Sequence, residues 1–488
     1  MQKTFINKLM LFVVLSLLIY SCRNTEQFTE DSSVKLGFST DTVNFDTVFM
    51  TIGSSTKQFK FYNNNDKPVR TTISLAGGTN SFFRLNIDGQ SSDKIANYEI
   101  MANDSAFVFV EVNVNPQNTQ NPMVISDSIV FITNGNQQNV KLEAYGQNVH
   151  LYNDSVINTS TKWIADKPYL IYNSILINKD VKLTINEGVK IYFHNESAMW
   201  VLGTLDVQGT VDNPVLFQGD RLEDWYKYSP GQWYGYFRND SVEYLTGGIH
   251  FWQGSKDNII NNAIVKNGVK GIQIDSKNEN SNNPTLILSN SIVKNMSAIG
   301  LLAQTSDILV YNTVIANCGY YAVVLNYGGS YGFYHTTIGN YYEFDTRKTP
   351  SLIFNNYYAV GDDVKTFDFN AEFGNSIIYG NLDNEFLFDF NLSENKDVGF
   401  TFDHCLMKLD DKFDTSNDKI YKDIIRNKDS LPKFINTYEG DFRLDTLSAA
   451  KDNGASKYSI YPPLDRDKDG VDRNSDKNPD IGAYERVE

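Results

Sequence analysis

The sequence predicts an all-β protein, an antiparallel β-sandwich followed by a right-handed parallel β-helix. Three observations carry this prediction. The 488 residues are 41% hydrophobic and 13% aromatic, with 29 tyrosines and 31 phenylalanines, side chains that suit sheets better than helices. Apolar runs are short and broken by Gly, Asn and Asp, so none sustains i, i+3, i+4 spacing over about ten residues. A phrase of polar, small and apolar letters closed by Asn recurs as "NAIVKN" (262–267), "NSIVKN" (290–295), "NTVIAN" (312–317), "HTTIGN" (335–340) and "NSIIYGN" (375–381), with "HCLMK" at 404–408.

The N-terminus comes before any domain. Lys3 and Lys8 precede the apolar run "LMLFVVLSLLIY", too short for a stable transmembrane helix and matching a signal-peptide core. Its end, "IYSC", resembles a bacterial lipobox, so residues 1–22 are expected to be a lipoprotein signal peptide with Cys22 as the lipidated residue. Tyr20 stands where that motif usually has a smaller side chain. Residues 23–33, "RNTEQFTEDSS", form a polar tether. The chain is then membrane-attached through its anchor and otherwise soluble. Cys318 and Cys405 sit in separate strand-like phrases and are expected to be buried free thiols.

Residues 34–149 alternate polar and apolar letters in "KQFKFYN", "FRLNIDG", "AFVFVEVNVNP", "DSIVFITNG" and "VKLEAYG", the pattern of an antiparallel sandwich. A polar connection is expected between His150 and Pro168, and the solenoid over 165–440. Successive phrases start 28, 22, 23, 40 and 29 residues apart, a repeat length at which each unit buries its face only by stacking on its neighbours. Ile264, Ile292, Val314, Ile338 and Ile377 are expected to point inward. Asn267, Asn295, Asn317 and Asn340 are expected at corners, where Asn tolerates left-handed backbone and can bond to the Asn one coil away. The 40-residue step implies a loop inserted at about 358–372.

Several stretches carry a resemblance. "GVKIYF…GTLDVQGTVDNPVLFQGDR", "SPGQW" and "GGIHFWQGSKDNIINNAIVKNGVKGIQID" look like right-handed β-helix lipoproteins of Bacteroidetes, relatives of the pectate-lyase-like fold. The ending "DKDGVDRNSDKNPDIGAYE" resembles the closing motif of such proteins, placing a C-terminal cap at 441–488. Residues 34–149 resemble the immunoglobulin-like modules that precede larger domains in surface lipoproteins of that group. The resemblance implies an outer-membrane or cell-surface location and says nothing of activity, since one fold hosts many functions.

A net charge of −16 argues against nucleic acid as a partner, because phosphate binding needs clustered Lys and Arg. A polygalacturonase-like acid set is not reproduced. The pairs Asp362–Asp363 and Asp410–Asp411 read as solvated turns. No lysine is marked out by its sequence neighbours as a lyase base. The stretch 221–240 offers Trp225, Tyr226, Tyr228, Trp233, Tyr234, Tyr236 and Phe237 beside Glu223 and Asp224. Aromatic plates flanked by acceptors make a saccharide platform, and the competing reading is that these rings order the loop against the solenoid wall. Asp465, Asp467, Asp469 and Asp476 stand at alternate and terminal positions of a calcium-type loop. A metal there would be a structural calcium, and the competing reading is a turn closed by Asp467, Gly470 and Arg473. The expected function is a non-catalytic lipoprotein that binds a polysaccharide or an envelope protein. The alternatives are a polysaccharide lyase or glycoside hydrolase, and a structural component of an envelope assembly.

Overall fold

The computed structural model describes residues 27–49, 54, 56–113, 123–239, 242–275, 277, 283–393, 396–426, 431–475 and 477–487, the side chains of 236–246 excepted. Cys22 and Asp476 therefore lie outside the described residues. The chain divides into two compact units, Met1–Asn148 and Val149–Glu488.

The first unit is an immunoglobulin-like sandwich of two five-stranded sheets. One orders Gly37–Phe38, Lys57–Asn63, Asp104–Val112, Phe83–Ile87 and Gln90–Ser91; the other orders Thr42–Phe49, Asn136–Gln147, Met123–Thr133, Val69–Leu75 and Lys94–Ile100. Period-2 alternation builds its core directly. Along Asp104–Val112, Val108, Val110 and Val112 are buried among Phe45, Phe61, Phe83 and Phe131, while Phe107 and Phe109 face out.

The second unit is a right-handed parallel β-helix with three faces. A typical coil runs through Lys190–Phe193 on face A, Met199–Val201 on face B and Thr204–Gln208 on face C, then returns to face A at Val215–Gly219. The winding starts earlier than the repeats imply. His150–Ile157 already pairs in parallel with Tyr169–Ile177, and Thr161–Trp163 pairs with Lys182–Asn186. Residues 150–168 are thus a first coil in place of the expected polar connection. Trp163, stacked on Tyr169 at 4.1 Å, closes that end of the core beside Tyr152.

Face A corrects the expected orientation of the phrase. Val265, Val293, Ile315, Ile338 and Ile378 pair rung to rung and lie in the core. Ile264, Ile292, Val314, Thr337 and Ile377 form the neighbouring column and point outward. Of the five residues expected inside, only Ile338 is. Two adjacent apolar letters occur because much of this sheet is covered on both sides, the condition that replaces alternation with a continuous apolar run. The phrase is bounded by left-handed corners as expected. Asn262, Asn290, Asn312 and Asn375 open it at φ 46 to 51°, His335 and His404 substitute at 48 and 51°, and Asn267, Asn295 and Asn317 close it at 53 to 66°. Rungs are tied by amide ladders, Asn295 Nδ2 donating to Asn267 Oδ1 (2.7 Å) and Asn312 Nδ2 to Asn290 Oδ1 (3.1 Å). Asn340 differs: its side-chain carbonyl accepts the Cys318 N–H at 2.8 Å. Cys318 and Cys405 are buried free thiols.

The outer cover of face A is the C-terminal segment. Paired rungs end near Tyr421–Lys422, and residues 431–475 and 477–487 lie along the wall of face A. Phe442, Ala483 and Tyr484 pack with Val314 and Ala316; Leu444, Ala450 and Ile481 pack with Ile377 and Leu406. Gly339 makes room for this cover, since a Cβ there would stand 2.3 Å from the Phe442 ring. Gly482 N–H donates to the Asn375 carbonyl (2.8 Å) and Ala483 N–H to Thr337 Oγ1 (3.0 Å).

Arg473, fully buried, locks this cover. It donates to Glu485 Oε2 (3.3 Å), Asn312 Oδ1 (3.1 Å) and the carbonyls of Gly482 and Ala483. The neighbouring carboxylates Asp465, Asp467 and Asp469 stand in a turn of backbone hydrogen bonds. Asp467 Oδ1 accepts the N–H groups of Asp469 and Val471, and its Oδ2 accepts that of Glu485. Asp469 pairs with Lys468 at 3.1 Å, and Asp465 offers its backbone carbonyl to Arg473 N–H. Among the described residues no group of three His, Cys, Asp or Glu could hold a metal. The turn closed by Asp467, Gly470 and Arg473 is the arrangement observed.

Two predictions follow from this packing. Replacing Arg473 by Met leaves the buried Glu485 carboxylate without its cationic partner and should lower stability by about 3–5 kcal/mol, whereas EGTA should leave the parent melting temperature where it was. A fall of several degrees on chelation would show a resident metal. His335 occupies an Asn position, fully buried against Ser459 and Asn375, and burial, then the Arg473 cation, holds its pKa well below the ordinary value. Its folded pKa lies below its unfolded one, so its contribution is present above about pH 6.5 and is lost as pH falls. Asp480, pushed up to about 6 by burial, acts in the opposite direction between about pH 4 and 6. The stability difference between His335→Asn and the parent isolates the histidine. It should move in the variant's favour by up to about 1.4 kcal/mol per unit below pH 6.5, read from urea midpoints. A difference that does not vary with pH would contradict a neutral buried His335.

Candidate binding groove on the outer wall

The aromatic stretch at 221–240 divides between packing and exposure. Trp233 is fully buried: its ring stacks on Phe193 at 4.3 Å and its N–H donates to the Lys266 carbonyl at 2.9 Å. It is a core residue and presents no face to a ligand. Arg221 stands over the Tyr226 ring at 4.1 Å and donates to Glu223 at 3.0 Å, while Asp224 meets Lys227 at 2.8 Å. These contacts shape the loop. Trp225 projects into solvent, 83% exposed, and Tyr236 lies in the strand Gly235–Asn239, its side chain outside the described ones.

The same loop forms one wall of a groove that its own sequence does not announce. Tyr228 faces the outer surface of face A, opposite Tyr341, Tyr342, Glu343 and Phe344 from the insertion after Thr337–Asn340. Tyr438, Glu439 and Gly440 of the C-terminal segment supply a third wall. Lys266 and Lys294, register partners on adjacent rungs, form the floor with the corner residues Asn267, Asn295 and Asn317. Tyr228, Phe344 and Tyr438 keep 66%, 57% and 78% of their surface exposed, so three rings from distant segments stand free around a polar floor.

Each wall is fixed by a separate device. Asn267 Nδ2 donates to the Lys227 carbonyl (2.8 Å) and Asn295 Nδ2 to that of Tyr228 (2.5 Å), holding the loop. Asn317 Nδ2 donates to the Thr437 carbonyl (3.0 Å), holding the C-terminal segment. The insertion is pinned by a buried ion pair, Arg347 to Glu385 at 2.5 and 2.7 Å. Arg347 also donates to the carbonyls of Asn340 and Thr349, and Glu385 accepts from Ser351 and Leu382. The last approach depends on glycine. Gly440, at φ +75°, crosses Lys294 so closely that a Cβ would lie 2.5 Å from Nζ.

Desolvation holds both lysines below the usual ammonium pKa range. For Lys294 the charge of Lys266 adds to this, against smaller opposing effects of Asp441 and Glu439. Lys294 donates to the Glu439 carbonyl at 3.0 Å. Tyr341 and Glu343 also line an adjoining hollow with Tyr379, Lys408 and Lys433. The two hollows run along face A from the rung of Lys266 to that of Lys408, five steps or about 24 Å. Rings of this kind pack against the C–H faces of sugars, and the ammonium groups donate to oxygen acceptors.

Other ionisable clusters are closed networks. Asp275 accepts from His250 (2.6 Å), Gln273 and Gln304, and Trp252 N–H donates to His250 Nδ1. Asp403 is bound by Lys457 and His404. Tyr331 fills the core and Tyr334 packs on Tyr458. Asp362 and Asp363 occupy an exposed hairpin turn.

The lysines were readable in principle. They occupy the same letter of two successive phrases, "AIVKN" and "SIVKN", which strand alternation places outward and one above the other. The convergence of 228, 341–344 and 438–440 had no local signal.

No family model and no curated protein matches the chain. Among solved structures it is similar to the catalytic domain of a GH87 α-1,3-glucanase determined with tetrasaccharides, at 10% identity and a TM-score of 0.16, covering 71% of this chain and 80% of that one. It is similar to the periplasmic chaperone SfaE at 14% identity and a TM-score of 0.17, over 23% of this chain and 57% of that one. It is also similar to a family 123 glycoside hydrolase from Clostridium perfringens at 11% identity and a TM-score of 0.19, over 26% of each chain. The chain thus spans about a quarter of that hydrolase and little more than half of the chaperone. Likenesses at these scores carry no argument about the groove.

Proposed function

We propose that this protein is an outer-membrane lipoprotein, anchored through Cys22, whose β-helix holds a linear saccharide in the face A groove without cleaving it. The observation that supports this reading is the convergence of Tyr228, Phe344 and Tyr438, exposed rings from three separate segments, on one polar floor. Exposed aromatic rings cost hydration and are retained where a ligand covers them. Their walls are fixed in advance by amide ladders, an ion pair and a glycine crossing, which lowers the ordering cost of binding. The groove runs along the helix axis, the direction in which an extended polymer contacts the most rungs. No helix among the described residues is long and apolar enough to cross a membrane. Membrane attachment in this reading rests on the lipid at Cys22 alone.

The test uses residues 23–488 with a panel of polysaccharides, followed by co-elution and by polymer length in size-exclusion chromatography. Co-elution without shortening is expected for at least one polymer. Replacing Tyr228, Phe344 or Tyr438 by Ala should weaken that binding at least tenfold, about 1.4 kcal/mol each, with little change in melting temperature. Trp225→Ala should bind as the parent does. Loss confined to Trp225→Ala would move the site to the loop tip, and shortening of the polymer would replace binding by catalysis. Labelled palmitate should enter the full-length protein and not its Cys22→Ala variant.

A further inference from the structure

We infer that the saccharide held in this groove is acidic, a uronate- or sulfate-bearing chain whose anionic groups sit between Lys266 and Lys294. This rests on the groove being a saccharide site and adds the class of sugar. The chain carries 59 acidic and 43 basic residues, so a lysine without a carboxylate partner is unexpected in a partly buried place. The Lys266 ammonium group makes no ion pair or hydrogen bond among the described residues, although it is the direct register neighbour of another lysine. Lys294 is met by a backbone carbonyl, that of Glu439. Asp441, which flanks the Gly440 crossing on the side opposite Glu439, is held by Arg443 at 2.5 and 2.8 Å.

Two like charges stacked on adjacent rungs, each partly stripped of water, destabilise the empty groove. Burial lowers both ammonium pKa values, and the Lys266 charge lowers that of Lys294 further. A purely structural position would be filled better by the apolar or small residues found one and two rungs on, Ala316 and Gly339. An anionic group between the two ammonium ions removes the repulsion and restores their ligands. Glu343 and Glu439 also line the groove, so an acidic chain is accepted only where the lysines face it. Register along the polymer is thereby fixed at that end, with the rings of Tyr228, Phe344 and Tyr438 beside it.

The experiment is calorimetric titration of residues 23–488 with polygalacturonate, fully methyl-esterified polygalacturonate, heparin fragments, neutral glucans and inorganic phosphate, each at low and high salt. The expected result is binding of at least one acidic polymer, at least tenfold tighter than the neutral or esterified chains and weakened by salt. The double variant Lys266→Met, Lys294→Met should lose that preference and melt at a higher temperature than the parent, because it removes an unpaired charge pair. The double replacement by Arg should keep the preference. Neutral chains bound as tightly as acidic ones, a double Met variant that still prefers acidic chains, or one that melts lower would each overturn the inference. Phosphate binding without polymer binding would overturn it as well. Binding of neutral polymers alone would remove the acidic preference and leave the saccharide site standing. If no polymer binds, both readings fall.

Discussion

The structure depends on a sheet that is apolar on both sides. Face A turns Val265, Val293, Ile315, Ile338 and Ile378 toward the core and Val314, Ile377 and Leu406 toward the outside. An exposed column of that kind would be a liability, so the C-terminal segment is obliged to lie on it. Phe442, Leu444, Ile481 and Tyr484 complete the cover, each contributing on the order of 1.5–3 kcal/mol of burial as an upper estimate. The fifth letter of each phrase records where the cover reaches. It is Lys at 266 and 294, then Ala316 and Gly339 beneath Phe442, then Tyr379. The groove begins where the cover stops.

That arrangement ties stability to the proposed binding surface. One wall is the end of the cover itself, held over Lys294 by Gly440, and the opposite wall is seated by the buried pair Arg347–Glu385. Buried pairs of this kind contribute little net stability, yet breaking one is costly, so they specify position more than they add strength. The corner asparagines serve twice. Their backbone supplies the left-handed turns, and their side chains hold neighbouring rungs or the walls.

What was legible in the sequence follows from how local each signal is. Strand alternation identified the sandwich, and Asn tolerance of positive φ identified the corners; both are properties of a few adjacent residues. The orientation of Ile264, Ile292, Val314 and Ile377 was not legible, because two adjacent apolar letters look alike until the outer cover is known. Residues 150–168 looked like a linker because polar letters interrupt them, while Ile157 and Trp163 carry the core. The calcium-type spacing at 465–476 did not reveal that Asp467 spends both oxygens on backbone amides and that Arg473 supplies the buried charge. Trp233 and Tyr228, five residues apart, have opposite fates, one in the core and one on the groove. Composition cannot separate them. Long-range convergence of 228, 341–344 and 438–440 is a property of the coil count and the insertions together.

The most direct test of the groove as one binding unit is hydrogen–deuterium exchange with and without the polymer that binds best. Segments 226–232, 341–344 and 437–440 should gain protection together, with the sandwich at 34–148 unchanged. Protection confined to one of the three segments, or found on the sandwich instead, would contradict the account.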